Sequence, residues 1–479
     1  MQPTRPNERL AALVLLLVLA ASASSAGDWS RFRGPNGSGL SAESGLPLEF
    51  GPGKNEVWSL EVPFGRSSPA LTDDTVFLTA IDQDRLVTLA VDAQTGEKRW
   101  SRSIDRGHTA SLHSATDSAT PSPVTDGENV YALFHEAGLV SYDKDGNRRW
   151  TMELGPFRNY YGIASSPILA GGRLYVVCDQ AGGSFVMAVD SASGKPAWRT
   201  ERPKRAEAYA TPLLYPESDP KLLLVAGSRW VDAYDLASGE LVWSLGGVGS
   251  GPVASPVLVG NRLYVAAIDH AESGWPEFPK LLAEHDADDD GELTPSEVAE
   301  TWMKNHFPWL DTDASGELSQ KDWDVMAAEL DHDEWGVFAV DLAAEGAKLG
   351  WNYRQNVPYI PSPIVTSDVF YMIKDGIVTS LDPKSGELIK RGRLGDGSPK
   401  VYASPVAADG RLYVATLEGT VAVLRGEGEW EVVAENDLGE EIWATPAIAE
   451  GDLFVRTRER LYRFGLEEEK APTTGGSSP

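Results

Sequence analysis

A phrase made of Ser or Thr, then Pro, an apolar stretch, an Asp/Gly/Asn turn and a second alternating stretch is written eight times along this 479-residue chain. Its copies begin at Ser68-Pro69, Ser122-Pro123, Ser166-Pro167, Thr211-Pro212, Ser255-Pro256, Ser362-Pro363, Ser404-Pro405 and Thr445-Pro446. Most continue to Asp-x-x-x-Gly with a Trp close behind, at Trp100, Trp150, Trp198, Trp243, Trp351 and Trp430, while the sixth carries Lys390 in that place. The copies are 41 to 54 residues apart, except that 107 separate the fifth from the sixth. A regular period of this length marks units that cannot bury their own apolar faces and must stack on one another. The long interval means that roughly sixty residues are inserted into one unit.

Within a unit the apolar residues alternate with a period of two, as in Thr75-Val76-Phe77-Leu78-Thr79 and in Arg85-Leu86-Val87-Thr88-Leu89-Ala90-Val91-Asp92. That is the spacing of strands, not of helices. The turns Asp126-Gly127, Gly171-Gly172, Gly260-Asn261 and Asp409-Gly410 use residues that tolerate positive φ, as tight hairpins require. Four short strands fit each unit, and closing the ring leaves no sheet edge to template aggregation. The expected fold is therefore all-β: an eight-bladed β-propeller. The eighth unit stops at Tyr462-Arg463-Phe464 without an outer strand, whereas residues 55–62 have an outer-strand pattern and no unit before them. Pairing those two segments closes the last blade.

The N-terminus reads Arg5 and Arg9, an apolar run from Leu10 to Ala20, and small residues through Ser24-Ser25-Ala26, the layout of a secretory signal cleaved after Ala26. No later stretch is long and uncharged enough to span a membrane. The expected partition is a signal peptide at 1–26, blades 1–4 and the start of blade 5 at 27–270, the insertion at 271–334, the rest of the propeller at 335–465, and a disordered tail at 466–479. Export exposes the chain to an oxidising compartment, yet Cys178 is its single cysteine and no intrachain disulfide can form. Its apolar setting reads as a core thiol. The net charge of −29 excludes nucleic acid and anionic membrane surfaces as partners. About half of that excess lies between residues 284 and 334, where 17 Asp/Glu face 2 Lys.

The phrases Ala90-Val91-Asp92-Ala93-Gln94-Thr95-Gly96-Glu97-Lys98-Arg99-Trp100, Ala188-Val189-Asp190 through Trp198 and Ala233-Tyr234-Asp235 through Trp243 resemble the docking repeats of the pyrroloquinoline-quinone (PQQ)-like propeller superfamily. Trp29-Ser30-Arg31-Phe32-Arg33-Gly34-Pro35 and Leu154-Gly155-Pro156-Phe157 resemble exported bacterial members of it. The resemblance covers the mature chain outside the insertion and implies that each Trp wedges against the next blade. It is specific for fold and weak for function.

The insertion carries the recognisable chemistry. Asp286-Ala287-Asp288-Asp289-Asp290-Gly291-Glu292-Leu293-Thr294-Pro295-Ser296-Glu297 fills every position of a twelve-residue EF-hand loop. Ca2+ is a hard cation that takes six to eight oxygens at about 2.4 Å. Asp286, Asp288 and Asp290 would supply carboxylates, Glu292 its carbonyl, Thr294 a direct or water-borne contact, and Glu297 both carboxylate oxygens. A second loop runs from Asp311 through Asp313, Ser315, Glu317 and Ser319 to Asp322, with Gly316 at the sharp turn. Ser315 is neutral and Asp322 is one methylene shorter than Glu, which implies weaker Ca2+ binding or Mg2+ tolerance. Thr294-Pro295-Ser296-Glu297 and Ser319-Gln320-Lys321-Asp322 read as helix capping boxes. The helix leaving the first loop should carry Val298, Trp302 and Met303 and end at Phe307-Pro308. Asp331-His332-Asp333 begins like a third loop, but Trp335 breaks the pattern and the blade resumes.

Two function classes follow. The superfamily resemblance implies, as the alternative reading, a quinoprotein dehydrogenase holding PQQ and Ca2+ in the funnel. Against it, one cysteine cannot make the disulfide such enzymes place against the quinone, no Cys-x-x-Cys-His haem site is present, and no matching base or ligand set can be assigned on this chain. Hydrolase, metalloprotease and phosphate-loop signatures are also missing. Gly246-Gly247-Val248-Gly249-Ser250-Gly251 joins two strands and reads as a connector, and His108 and His113 read as structural loop residues. The favoured expectation is a monomeric, exported binding scaffold for an unidentified protein or carbohydrate. It assigns no catalytic residue and gives the Ca2+-holding insertion a structural part.

Overall fold

Each Ser/Thr-Pro phrase opens one antiparallel sheet, and eight four-stranded sheets make up the propeller. The computed structural model describes residues 29–466 apart from 160, 182, 204, 206, 250, 269–275, 331–333, 396 and 427–428. The segment expected to be a signal peptide, Asp331-His332-Asp333 and all of the tail but Leu466 lie outside the described residues.

Blade 3 shows why the repeat reads as it does. Its strands, Ile168–Ala170, Arg173–Cys178, Phe185–Asp190 and Pro196–Glu201, pair in that order from the axis outward. On the second strand Leu174, Val176 and Cys178 face blade 2, while Tyr175 and Val177 face blade 4. A period of two therefore feeds both neighbours, and the strand is apolar throughout because neither face meets water. Cys178 is fully buried, and that burial pushes its thiol pKa up, as befits a core residue.

The Trp residues lock blade to blade. Trp150 donates its indole N–H to the Ser191 carbonyl of the next blade at 3.0 Å, and Trp58, Trp100, Trp198 and Trp351 make the equivalent bond. Each ring lies on the glycine that ends the neighbouring Asp-x-x-Gly or Asp-x-x-x-Gly turn. A Cβ on Gly194 would sit 2.5 Å from the Trp150 ring, and its φ of +70° already excludes most side chains. Trp430 departs from the expected pattern. Cross-strand partners of the third strand are Trp100, Trp150, Trp198 and Trp243 in blades 1 to 4, but Ala434 in blade 7, because Trp430 precedes the outer strand Glu431–Asp437. Lys390 of blade 6 stacks over the Trp430 ring instead, at 4.8 Å.

The ring closes by pairing Glu56–Glu61 with Arg460–Phe464, the last strand of blade 8. Arg456, 1% exposed, clasps the seam by donating to the carbonyls of Pro63, Ser67 and Thr79 at 2.8 to 3.1 Å. Burial draws its pKa down to about 10.

The insertion leaves blade 5 between Arg262–Ala267 and Gly336–Ala343. It contains helices α1 (Phe278–His285), α2 (Met303–Leu310) and α3 (Gln320–Leu330) around its own core of Phe278, Leu293, Val298, Met303, Leu318 and Trp323. The helix expected straight after the first loop does not start there. Residues 295–302 form turns, α2 begins at Met303, and it runs through Pro308 to Leu310. Pro308 falls within a helix expected to end there, and the helix runs on to Leu310, where the Asp311 N–H caps it by donating to the Phe307 carbonyl.

In an up-and-down sheet successive turns alternate between two ends. The connectors that enter each Ser/Thr-Pro phrase therefore share one face of the propeller with the turn between second and third strands, and so with the insertion. Residues 29–40 cross the other end of the axis. Leu71 and Thr125 donate their N–H groups to the carbonyls of Trp29 and Ser30, Arg31 donates to the Pro212 carbonyl, Arg33 to that of Pro363, and Leu40 pairs with Ala407. These anchors sit on the inner strands of blades 1, 2 and 7 and one residue before those of blades 4 and 6, so the segment forms a floor.

Candidate functional site

The two acidic loops fold as near copies. In the first, the Gly291 N–H donates to Asp286 Oδ2 at 2.9 Å; in the second, the Gly316 N–H donates to Asp311 Oδ2 at 3.0 Å. The twelfth residue folds back in both. Glu297 accepts from the N–H groups of Ala287 and Thr294 at 2.8 and 2.7 Å, and Asp322 from those of Thr312 and Ser319 at 2.9 and 3.1 Å. The loops lie side by side, tied by reciprocal bonds between Leu293 and Leu318 of 2.9 and 2.8 Å. The Ser319 box is complete, since the Asp322 N–H returns to Ser319 Oγ at 3.3 Å. Thr294 and Glu297 bond each other, but on a turn rather than a regular helix.

The geometry gathers carboxylates. One oxygen each from Asp286, Asp288 and Asp290 lies within a mutual 4.8 Å, and so does one each from Asp311, Asp313 and Asp322. Two oxygens on opposite sides of a Ca2+ ion, each at about 2.4 Å, would be about 4.8 Å apart, so each trio fits one coordination sphere. The donors are all oxygen, which suits a hard cation rather than zinc or copper. Asp286 Oδ1 is buried with no hydrogen-bond partner, an arrangement that a cation would satisfy. The neighbouring charge of Asp290 raises the pKa of Asp288, and the amides of Thr294 and Ala287 lower that of Glu297.

Glu297 is outside the first trio, its oxygens occupied by amides and by the Thr294 hydroxyl. Ser315 Oγ turns to the Glu317 carbonyl at 2.9 Å, Ser319 Oγ bonds Asp322, and Asp313 pairs with Lys321 at 3.2 Å. Glu292 and Glu317 meet where the loops abut, and Glu317 raises the pKa of Glu292.

A second feature was missed in the sequence. The hydroxyl of each repeat phrase accepts the backbone N–H of the phrase before it: Ser68 to Ser122, Ser122 to Ser166, Ser166 to Thr211, Thr211 to Ser255, Ser255 to Ser362, Ser362 to Ser404, Ser404 to Thr445, and Thr445 back to Ser68, all at 2.9 to 3.1 Å. This closed ring encircles an axial channel of about 140 Å3. Phe32 of the floor segment reaches it from one end, and Tyr161, Tyr209, Tyr359, Tyr402 and Trp443 from the connectors wall the other. A periodic signal was available, since Tyr209, Tyr402 and Trp443 each precede their Ser/Thr-Pro by two residues. Arg66 lies over the Trp443 ring at 4.2 Å and pairs with Asp117 at 3.2 Å. The Tyr209 hydroxyl donates to Glu207 at 2.7 Å, and burial beside that carboxylate raises its pKa.

A larger groove of about 970 Å3 lies between blades 1 and 2 on the opposite face. Arg99 in it already pairs with Asp74 and Asp92, so it is an inter-blade cleft and not a gathering of reactive groups. His113 packs edge-on against Tyr161 at 4.8 Å; His108 and the buried His135 have ring centroids 6.1 Å apart.

Comparison with known proteins agrees with this architecture. The chain is 26% identical over 192 residues to the quinohemoprotein alcohol dehydrogenase ADH IIB of Pseudomonas putida, a stretch covering 39% of this chain and only 25% of that enzyme. The structure of BamB from Moraxella catarrhalis superposes with a TM-score of 0.56 at 14% identity, covering 87% of this chain and 98% of that one. The quinohemoprotein alcohol dehydrogenase of Comamonas testosteroni gives 0.57 at 12%, covering 95% and 83%. At such identities these likenesses concern the fold alone. A family model described as outer membrane protein assembly factor BamB matches residues 51–206, 135–267, 227–402 and 374–466, nearly the whole described chain, and the protein belongs to that family of PQQ-like β-propellers.

Proposed function

We propose that this protein is an exported, calcium-binding propeller that serves as a scaffold for a protein or carbohydrate partner, with one Ca2+ in each loop of the insertion. One observation carries the metal reading: two loops of matching geometry, joined through Leu293 and Leu318, each bring three aspartate oxygens within 4.8 Å. Asp286, Asp288 and Asp290 would hold the first ion, and Asp311, Asp313 and Asp322 the second, with Glu297 swinging from its amides to complete the first shell. The family description, an assembly factor, supports a protein partner. Calorimetric titration of the full chain with Ca2+ tests the reading. Heat of binding is expected, with the first-loop component lost in an Asp286→Ala, Glu297→Ala double variant. A silent titration refutes it.

The match to an alcohol dehydrogenase favours, as a second reading, a PQQ-dependent oxidoreductase. The channel residues do not fit that quinone. PQQ is a tricarboxylate, whereas Arg66, the cation among the lining residues, is already paired with Asp117, and Glu207 adds negative charge beside Tyr209. Dye reduction by the protein with added PQQ, Ca2+ and an alcohol would reverse this preference.

A further inference from the structure

The insertion starts from blade 5 but does not stay there. The Arg158 side chain, in the connector between blades 2 and 3, donates to the backbone carbonyl of Asp311. Burial lowers the pKa of His306 on α2, and the charge of His113, in the connector between blades 1 and 2, lowers it further. In a ring of eight, blade 1 stands opposite blade 5, so α2 and the second loop reach across the axis. They arrive at the mouth of the channel, since His113 packs on Tyr161 and Tyr161 forms part of its wall. At the far end residues 29–40 form the floor. The channel is thus entered from the face over which the insertion lies.

We infer that the insertion is the occupant of the propeller's axial face, seated by metal in its second loop, and that in this seat it closes the channel to outside ligands. This rests on the metal reading above. Asp311 links the two events, because its carboxylate belongs to the second trio while its carbonyl is the acceptor for Arg158. An ion drawing Asp313 and Asp322 towards Asp311 fixes the backbone that Arg158 grips; without it, like charges crowd the loop and loosen that grip. The sign of charge agrees, a strongly acidic insertion meeting an arginine of the propeller.

The test uses a thiol in the channel wall. Ala164 lines the channel and is small, so Ala164→Cys in the full chain gives a reporter, while Cys178 is fully buried and silent. Maleimide labelling should be about tenfold slower or more in millimolar Ca2+ than in chelator, as a closed and an opened mouth require. Adding Arg158→Ala should restore fast labelling in Ca2+. Ala115→Cys, on the same wall, replaces the reporter if the first variant fails to fold. Equal rates with and without Ca2+, while calorimetry registers filled loops, overturn the cover and leave the metal sites standing. Absence of calorimetric heat overturns both.

Discussion

Removing one hydroxyl from the axial ring has a cost that the geometry fixes. Ser166 is 4% exposed, and its Oγ is the acceptor for the Ser122 N–H at 3.0 Å. In Ser166→Ala that amide loses its partner inside a wall of buried residues, while the bond from the Ser166 N–H to Thr211 Oγ1 at 3.1 Å survives. A buried donor left unsatisfied costs about 1 to 3 kcal/mol, and the methyl that remains opens no cavity of consequence. Urea unfolding should show the loss as a lowered midpoint at unchanged slope. Ser166→Thr is the control, because Thr211 and Thr445 hold the same place in their blades and accept at 3.1 and 2.9 Å. That variant should stay within about 0.5 kcal/mol of the parent. If Ser166→Ala also falls within about 0.5 kcal/mol, or if the Thr variant is no better than the Ala variant, the hydroxyl ring does not hold neighbouring blades in register and the reasoning fails.

Gly194→Ala should cost about 2 to 4 kcal/mol, from a left-handed φ and a Cβ driven into the Trp150 ring, whereas Gly171→Ala, also left-handed but with open space around it, should cost only about 1 to 2 kcal/mol; paired denaturation curves give the difference. Burial lowers the His135 pKa to about 4 from 6.5, so the folded state binds its proton less readily than the unfolded chain. Stability from this group is complete above pH 6.5 and declines at roughly 1.4 kcal/mol per unit as pH falls towards 4, and His135→Gln should flatten that part of a stability–pH profile. Ca2+ at about ten times the dissociation constant of a loop should add about 1.4 kcal/mol per site to the stability of the insertion, seen as a melting transition that chelator moves down and Asp286→Ala moves down in part.

What could be read in the sequence was whatever each repeat does locally. Eight Ser/Thr-Pro phrases, a two-residue alternation and an outer strand misplaced to residues 55–62 sufficed for the propeller and its closure, since every copy solves one packing problem against identical neighbours. The spacing of Asp286 to Glu297 and of Asp311 to Asp322 likewise marked loops whose shape is set within twelve residues. The exceptions are long-range. Trp430 kept the composition of a docking Trp but not its register, because register is decided by the partner strand, where Ala434 faces Val423. The segment from Trp29 to Leu40 has no periodicity to place it against any one blade, yet five blades hold it as the channel floor. Nothing in the insertion's own sequence says that it reaches blades 1 to 3. That follows from the end of the sheet at which it leaves, since a turn between second and third strands must share a face with every connector that bears a channel aromatic. Had the same sixty or so residues been inserted one turn earlier, between first and second strands, the identical loops would lie on the floor side and could govern nothing at the mouth.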